Sequence, residues 1–376
     1  MKHYSSYWEQ TVLLKTFDFI VLGAGLIGKQ ISLKIKEKYP SARVGLLDRS
    51  AFSYGASTRN AGFACFGSVS EIIDDFKRSS QKEVLLLAQK RQLGIQKLVE
   101  TFGAREIGFR PTGSFEIFEK NDTLFYEETL SQITEVNNLL KNQTGLEDIF
   151  SVKSTQNFGM DIMPNCIFNP HEGMLNSGLL NEVIAEAVHK SGVIPLYGIH
   201  VEKIQQTNNG YQLVSETGIE LSCHQLILAT NAFAAELLTT IDVVPARGQI
   251  IITKPIEAIP FDGIFHADKG YIYFRNIDNR ILLGGGRNHF LAEEHTFEME
   301  GSNEVVNYLT EYLSNIILPG QSFEIEMNWS GIMGMGKEKI PIVEKLNDNL
   351  IACVRMSGMG VALGPMVSQE VLDLIA

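Results

Sequence analysis

Apolar positions along this chain follow two periods, one of two residues and one near 3.6. Residues 17 to 22, FDFIVL, form an unbroken apolar run of β-forming side chains that ends at a glycine, as a parallel strand buried on both faces would. LIGKQISLKIKEKY then places apolar side chains at Ile27, Ile31, Leu33 and Ile35 before Pro40, which predicts a helix of about three turns. RVGLLD returns to strand. Together these segments make a βαβ unit of about 30 residues, for which a right-handed crossover is expected.

Further along, EIIDDFKRSSQKEVLLLAQKRQLGIQKLVETFG carries one long helical pattern, RPTGSFEIF begins a strand after Pro111, and TLFYEETLSQITEVNNLLKNQ is helical again. These segments read as a second core inserted into the first. HEGMLNSGLLNEVIAEAVHKSG predicts a helix stopped by Gly192. Turn signals at Asn209-Gly210 and Thr217-Gly218 then punctuate three strands before QLILAT, an apolar strand suited to the first sheet. Residues 245 to 290 are strand-rich with alternation and predict an antiparallel sheet. A helix near 302 to 315, a further strand, and SGMGVALGP running into a helix complete the chain. No internal repeat or low-complexity tract interrupts it.

The first turn carries candidate chemistry. Gly23, Gly25 and Gly28 satisfy G-x-G-x-x-G between strand and helix, and Asp48 falls 20 residues after Gly28 at the end of the second strand. Gly23 permits the tight turn, Gly25 lets backbone approach a pyrophosphate at the helix N-terminus, and Gly28 allows close packing of helix on strand. Asp48 is placed to accept hydrogen bonds from an adenosine ribose, which disfavours a 2′-phosphate. After it comes RSAFSYGASTRNAGFACFG, a stretch of small residues that lets backbone pass close to something bulky. An isoalloxazine ring suits it, with Ser57, Thr58, Asn60 and the amides of Ala61 to Phe63 in reach. The alternative is a solvated loop, for which Phe52, Tyr54, Phe63 and Phe66 are heavy aromatics.

Composition narrows the partners. The 376 residues are 44% hydrophobic and 20% charged, ordinary for two globular cores. A net charge of −12 argues against nucleic acid or an anionic membrane surface, each of which needs a basic patch. No window offers about 18 uninterrupted apolar residues for a membrane span, and the N-terminal stretch lacks a signal-peptide core. The expectation is a cytoplasmic protein acting on small molecules. Cys65, Cys166, Cys223 and Cys353 are widely separated and read as buried reduced thiols, with no metal site. The NQT at Asn142 reads as a chance acceptor sequence.

The glycine motif, GASTRNAGF, LILATNAFA, PARGQI and SGMGVALGP occur in an order that resembles the D-amino-acid-oxidase-like family of FAD-dependent oxidoreductases, which includes glycine, sarcosine and γ-glutamylputrescine oxidases. The resemblance spans nearly the whole chain, and GASTRNAGF is most similar to the last of these branches. It implies an α/β fold, α+β overall, with a Rossmann-like FAD-binding domain (1–105, 160–245 and 326–376) and an interleaved antiparallel-sheet substrate domain (106–159 and 246–325). It implies noncovalent FAD held by Gly23, Gly25, Leu26, Ile27, Gly28, Asp48 and Arg49, with Val201 near the adenine and Ala229 and Thr230 near the phosphates. Ser57, Thr58, Arg59, Asn60, Ala61, Gly62 and Phe63, with Gly331, Gly358, Met359, Gly360 and Val361, would flank the isoalloxazine. From the residues alone, SGMGVALGP offers amides and a helix dipole suited to the N1 and O2 side of a flavin.

The implied reaction is oxidation of a C–N bond beside a C–H, by hydride transfer to flavin N5, on a small amine or amino acid, with oxygen or another acceptor taking the electrons. Tyr271, Tyr273 and Arg275 in GYIYFR alternate and are expected on one side of a strand, where the family contacts substrate. Arg59 could hold a substrate carboxylate or satisfy backbone carbonyls, and His266 reads as a surface histidine or a substrate contact. Two departures bear on substrate. Met333 in SGIMG stands where glycine-oxidase-like members carry arginine, and Arg355 is displaced from the usual carboxylate-clamping position. An NAD-linked dehydrogenase and a flavin-binding protein without turnover remain the alternatives.

Overall fold

In the computed structural model, which describes residues 5–375, strand Phe17–Leu22 lies inside an eight-stranded sheet between two parallel neighbours, Val44–Asp48 and Glu220–Leu228. Ile194–Tyr197 and Leu350–Val354 extend the parallel portion on either side. Ile342–Asn347 closes one edge antiparallel, and Val201–Thr207 and Gly210–Ser215 join Glu220–Leu228 as an antiparallel meander. The parallel strands are apolar runs because both of their faces are covered: Ile20, Val21, Leu46, Leu47, Leu226 and Ile227 have no solvent exposure. Helix Leu26–Lys38 packs beside the C-terminal helix Gly360–Leu374.

The second sheet also has eight strands, in the order Ile325–Met335, Val244–Thr253, Arg280–Gly285, Ile272–Ile277, Ile264–Ala267, Ser114–Glu116, Asn165–Asn169 and Ser151–Ser154. From Val244–Thr253 to Ser151–Ser154 its neighbours pair antiparallel as expected, except at one junction, where Ile264–Ala267 and Ser114–Glu116 run parallel. That junction joins segments far apart in sequence, so no hairpin dictates its direction. A stack of aromatics fills the core: the rings of Phe265 and Phe274 are 4.7 Å apart and nearly parallel, with Phe115 stacked on Phe265 at 5.0 Å.

Each sheet falls almost wholly within its own unit. One unit comprises the chain up to Thr58, Gly178–Pro245 and the chain from Met333 onward; the other comprises Arg59–Ser177 and Ala246–Ile332. Residues 59–105 and 160–177, grouped with the nucleotide domain from sequence, therefore fall with the second sheet. The reason is pairing: Asn165–Asn169 is one of its strands, Phe63–Ala64 pairs with Gly173–Met174, and helices Val69–Phe76 and Gln81–Phe102 pack on Thr123–Thr144. The latter two helices replace the one long helix expected. The first ends at Phe76 and Ser80 caps the second, its hydroxyl accepting from Glu83 N at 3.3 Å while the Glu83 carboxylate accepts from Ser80 N at 3.0 Å. Among the described residues no helix is long and apolar enough to cross a membrane.

Candidate functional site

The first unit builds a cradle at the carboxyl end of Phe17–Leu22. Gly23 has φ +108°, and a Cβ there would lie 2.6 Å from the Ala229 carbonyl oxygen, so only glycine fits between the two strand ends. Any side chain at Gly28 would collide with the Gly23 carbonyl, so the helix can lie against the turn only because residue 28 has none. Gly25 is the N-cap of Leu26–Lys38 and contributes no side chain, but Ser57 accepts from Leu26 N at 2.8 Å and caps the helix from outside the segment. Leu26 and Ile27 are buried in the first turn of that helix.

Asp48 locks the turn from the neighbouring strand. Its Oδ2 accepts from Ala24 N at 2.8 Å and its Oδ1 from Ser50 N at 2.9 Å, which leaves lone pairs for a further donor. Ile199 N donates to Asp48 O and Gly198 N to Ser50 O, just before buried Val201 at the start of its strand. Arg49 lies 3.7 Å over the Phe233 ring and 3.9 Å from Glu236. Ala229 N donates to Leu22 O, and Thr230 beside it has a buried hydroxyl without a hydrogen-bond partner among the described residues. Sequence reading missed Lys29, directly after the third glycine. It is buried, with its ammonium 2.6 Å from Ser53 Oγ, and desolvation outweighs the field of Asp48 to push it down to about 8.

A second helix entry belongs to the same unit. Arg355 (φ 62°), Ser357 (φ 49°) and Gly358 (φ 81°) place three left-handed residues within four, and helix Gly360–Leu374 begins after them with N-cap Met359 making no side-chain cap. Ser357 N donates to Gly334 O, and Met356 N to Asn231 Oδ1. A Cβ on Gly358 would sit 3.4 Å from the Met333 sulfur, so that methionine lies against the glycine loop. Arg355 turns to Asp242, donating to its carboxylate at 2.7 Å and to Ile340 O at 2.8 Å. Val361 is buried in the first helical turn.

The other candidate residues belong to the second unit. Arg59 donates to Ser330 O at 2.8 Å, and Trp329 Nε1 donates to Arg59 O. Asn60 Oδ1 accepts from Ser177 Oγ at 2.6 Å and from Gly62 N at 3.0 Å. Arg275 is buried, and one of its terminal nitrogens donates to the carbonyls of Ala61, Gly62 and Leu175 at 3.2, 3.0 and 2.7 Å. It is pushed down to about 10 by burial, and its observed partners are backbone. Phe63 meets His266 edge-on at 5.3 Å and Tyr273 at 5.9 Å. Tyr273 is pushed up to about 12 by desolvation. Gly331 is buried in strand Ile325–Met335.

Three expectations about single side chains are corrected. Tyr271 lies before the strand with helical φ and ψ, because the left-handed Asp268 and Lys269 kink the chain, so only Tyr273 and Arg275 alternate within it. His266 is 5% exposed, inside the strand pair Ile264–Ala267 and Ile272–Ile277, and not at the surface. Burial pushes it down to about 4, so it is neutral, and its Nε2 has no hydrogen-bond partner among the described residues, the nearest carboxylate oxygen being Glu172 at 3.9 Å. Of the four aromatics after Asp48, Phe52 and Tyr54 are exposed while Phe66 is fully buried.

Sequence reading also missed two buried acids in this unit. Glu172 accepts from Phe66 N at 2.6 Å and Gly67 N at 3.2 Å; Glu116 accepts from the hydroxyls of Ser68 and Ser70 and from Ser70 N. Burial outweighs these bonds and pushes both up to about 7. The signal available was position: Ser114 and Glu116 alternate on one face of a strand whose neighbours are apolar.

A Rossmann-type glycine turn with an acid on the second strand, and a separate antiparallel sheet, define the class of dinucleotide-binding oxidoreductases. The comparisons with known proteins make this specific. The model of the DAO family, FAD dependent oxidoreductase, matches residues 18–374, and the chain belongs to that family. The bifunctional protein ThiO/ThiG of Synechocystis sp. is 21% identical over 373 residues; these are 96% of this chain and 52% of that protein, so the chain spans about half the length of the curated relative it matches. Glycine oxidase from Geobacillus kaustophilus has a similar structure, with a TM-score of 0.78 at 18% identity over 96% of this chain and 94% of that one. Iminodiacetate oxidase from Chelativorans sp. has a TM-score of 0.76 at 16% identity over 95% of each chain. The family is one of FAD-dependent oxidoreductases. The first unit fits that cofactor: the Gly23, Gly25 and Gly28 turn leaves the approach clear, Asp48 keeps acceptor capacity, and the Thr230 hydroxyl is a buried group in want of a partner.

Proposed function

We propose that this enzyme oxidises the C–N bond of a small amine or amino acid, with FAD bound noncovalently and oxygen or another acceptor closing the cycle. The names of the similar structures, glycine oxidase and iminodiacetate oxidase, support a nitrogen substrate. Bound flavin supplies an acceptor for a hydride from the carbon beside nitrogen. In this reading the glycine turn and Asp48 hold the adenosine and diphosphate, while the uncapped start of Gly360–Leu374 offers N–H groups and a dipole to the ring's electron-rich edge. Residues 59–105, 160–177 and 326–332 are assigned to the substrate-binding domain, with Arg59, Tyr273 and Phe63 as its candidate substrate contacts.

The observation that shapes the substrate is the state of the arginines. Met333 lies against the Gly358 loop, Arg355 is committed to Asp242, and one terminal nitrogen of Arg275 donates to three carbonyls. With Met333 at the usual clamp position and Arg355 held by Asp242, amines without an α-carboxylate enter the candidate set. Anaerobic mixing with a panel of primary amines, N-alkyl amines and amino acids tests this. Loss of flavin absorbance near 450 nm, a general property of flavins, is expected with at least one member. A panel that leaves the flavin oxidised, with reduced nicotinamides active instead, rejects the proposal.

A further inference from the structure

We propose that Lys29 is an internal counter-charge for the cofactor diphosphate, set beneath the glycine turn. This rests on the assignment of that turn to FAD. The ammonium is held from two directions: by Ser53 Oγ at 2.6 Å, which itself donates to Ala24 O at 3.0 Å, and by Asn181 Oδ1 at 3.5 Å. Lys29 is therefore two hydrogen bonds from the middle residue of the turn. Asn181 in turn donates to Ser57 O at 2.7 Å, and Ser57 caps the helix at Leu26. The lysine is thus linked through Ser53 to the glycine turn and through Asn181 to the Ser57 segment.

A lysine only 2% exposed is costly to keep without a charge partner, and among the described residues no salt bridge answers it. The groups facing it are few. Asp48 acts through its field from the second strand, Ser53 and Asn181 are neutral, and on the C-terminal helix Gln369 pairs with Lys34 while Glu370 faces Cys353. One carboxylate at a distance leaves the ammonium under-compensated, as its pKa of about 8 reflects. A diphosphate at the turn supplies the missing negative charge. It does so most when Lys29 is protonated, so cofactor binding and protonation of Lys29 favour each other.

The sign is fixed by linkage. Below pH 8 the amine is already charged and FAD binds at full strength; as pH rises past 8, binding must recruit a proton and weakens. The measurement is the FAD dissociation constant of deflavinated protein by flavin fluorescence quenching between pH 7 and 9.5, with proton uptake measured by calorimetry in two buffers of different ionisation enthalpy. Affinity is expected to fall about tenfold across this range, the equivalent of about one pKa unit, with proton uptake near pH 8.5. Lys29→Met is expected to bind about tenfold more weakly at pH 7 and without pH dependence, and Lys29→Arg to bind without pH dependence at near wild-type strength. Should Lys29→Met fail to fold, proton uptake by the wild-type protein decides alone. FAD binding that is independent of pH, without proton uptake, overturns the proposal and leaves the cofactor assignment standing. Failure of the wild-type protein to bind FAD at any pH overturns both.

Discussion

At the scale of single residues, the site is defined by what will not fit. Gly28→Ala forces a methyl into the Gly23 carbonyl, so a stability loss of about 1–3 kcal/mol by urea unfolding, with loss of bound flavin, is expected. Arg355 gives the opposite kind of test. Its bonds to Asp242 and Ile340 are structural, so Arg355→Gln should cost about 2 kcal/mol of stability and leave unchanged the ratio of KM for a carboxylate-bearing substrate to that for its uncharged analogue. A selective rise in KM for the carboxylate would return Arg355 to the substrate. The glycines were legible because their geometry is local: a turn between strand and helix demands them whatever lies elsewhere. Lys29, Glu116, Glu172 and His266 were not, because burial of a polar side chain is decided by neighbours that arrive from distant segments.

At the scale of elements, two short devices set the course of the chain in the second unit. Ser80→Ala removes the acceptor for Glu83 N and should cost about 1 kcal/mol, measured by chemical denaturation. The residues were readable as a capping box, yet the apolar period runs through them and masks the break. The second device is Glu116, whose carboxylate lies at the first amides of Val69–Phe76. Its folded pKa of about 7 lies above its ordinary value, so the protonated acid stabilises the fold at low pH, and that contribution is lost as pH rises through 7. Glu172 acts in the same direction. Unfolding measured at pH 5 and pH 8 should show Glu116→Gln losing less stability between the two than wild type does; an equal loss would mean that Glu116 is ionised throughout. The strand pattern was legible in most of both sheets, and Tyr271 was misplaced only because two left-handed residues before it end the alternation one residue early.

At the scale of the whole molecule, each sheet gathers strands from separated parts of the chain, and the first holds the cofactor turn on parallel strands buried on both faces. Fold class was readable from the βαβ opening and the strand-rich stretch at 245–290. The unit boundaries at 58 and 177 were not, because strand partners such as Asn165–Asn169 and Ser114–Glu116 carry no local mark of which sheet they will join. FAD binds the folded chain, so adding it to deflavinated protein at about a hundred times its Kd should raise stability by about 2.7 kcal/mol, seen as a higher unfolding midpoint. The most direct measurement is the identity and amount of nucleotide released by heat from freshly purified protein, read by chromatography and absorbance. One FAD per chain is the result expected. A colourless protein that releases NAD or no nucleotide, and does not take up added FAD, would contradict the account.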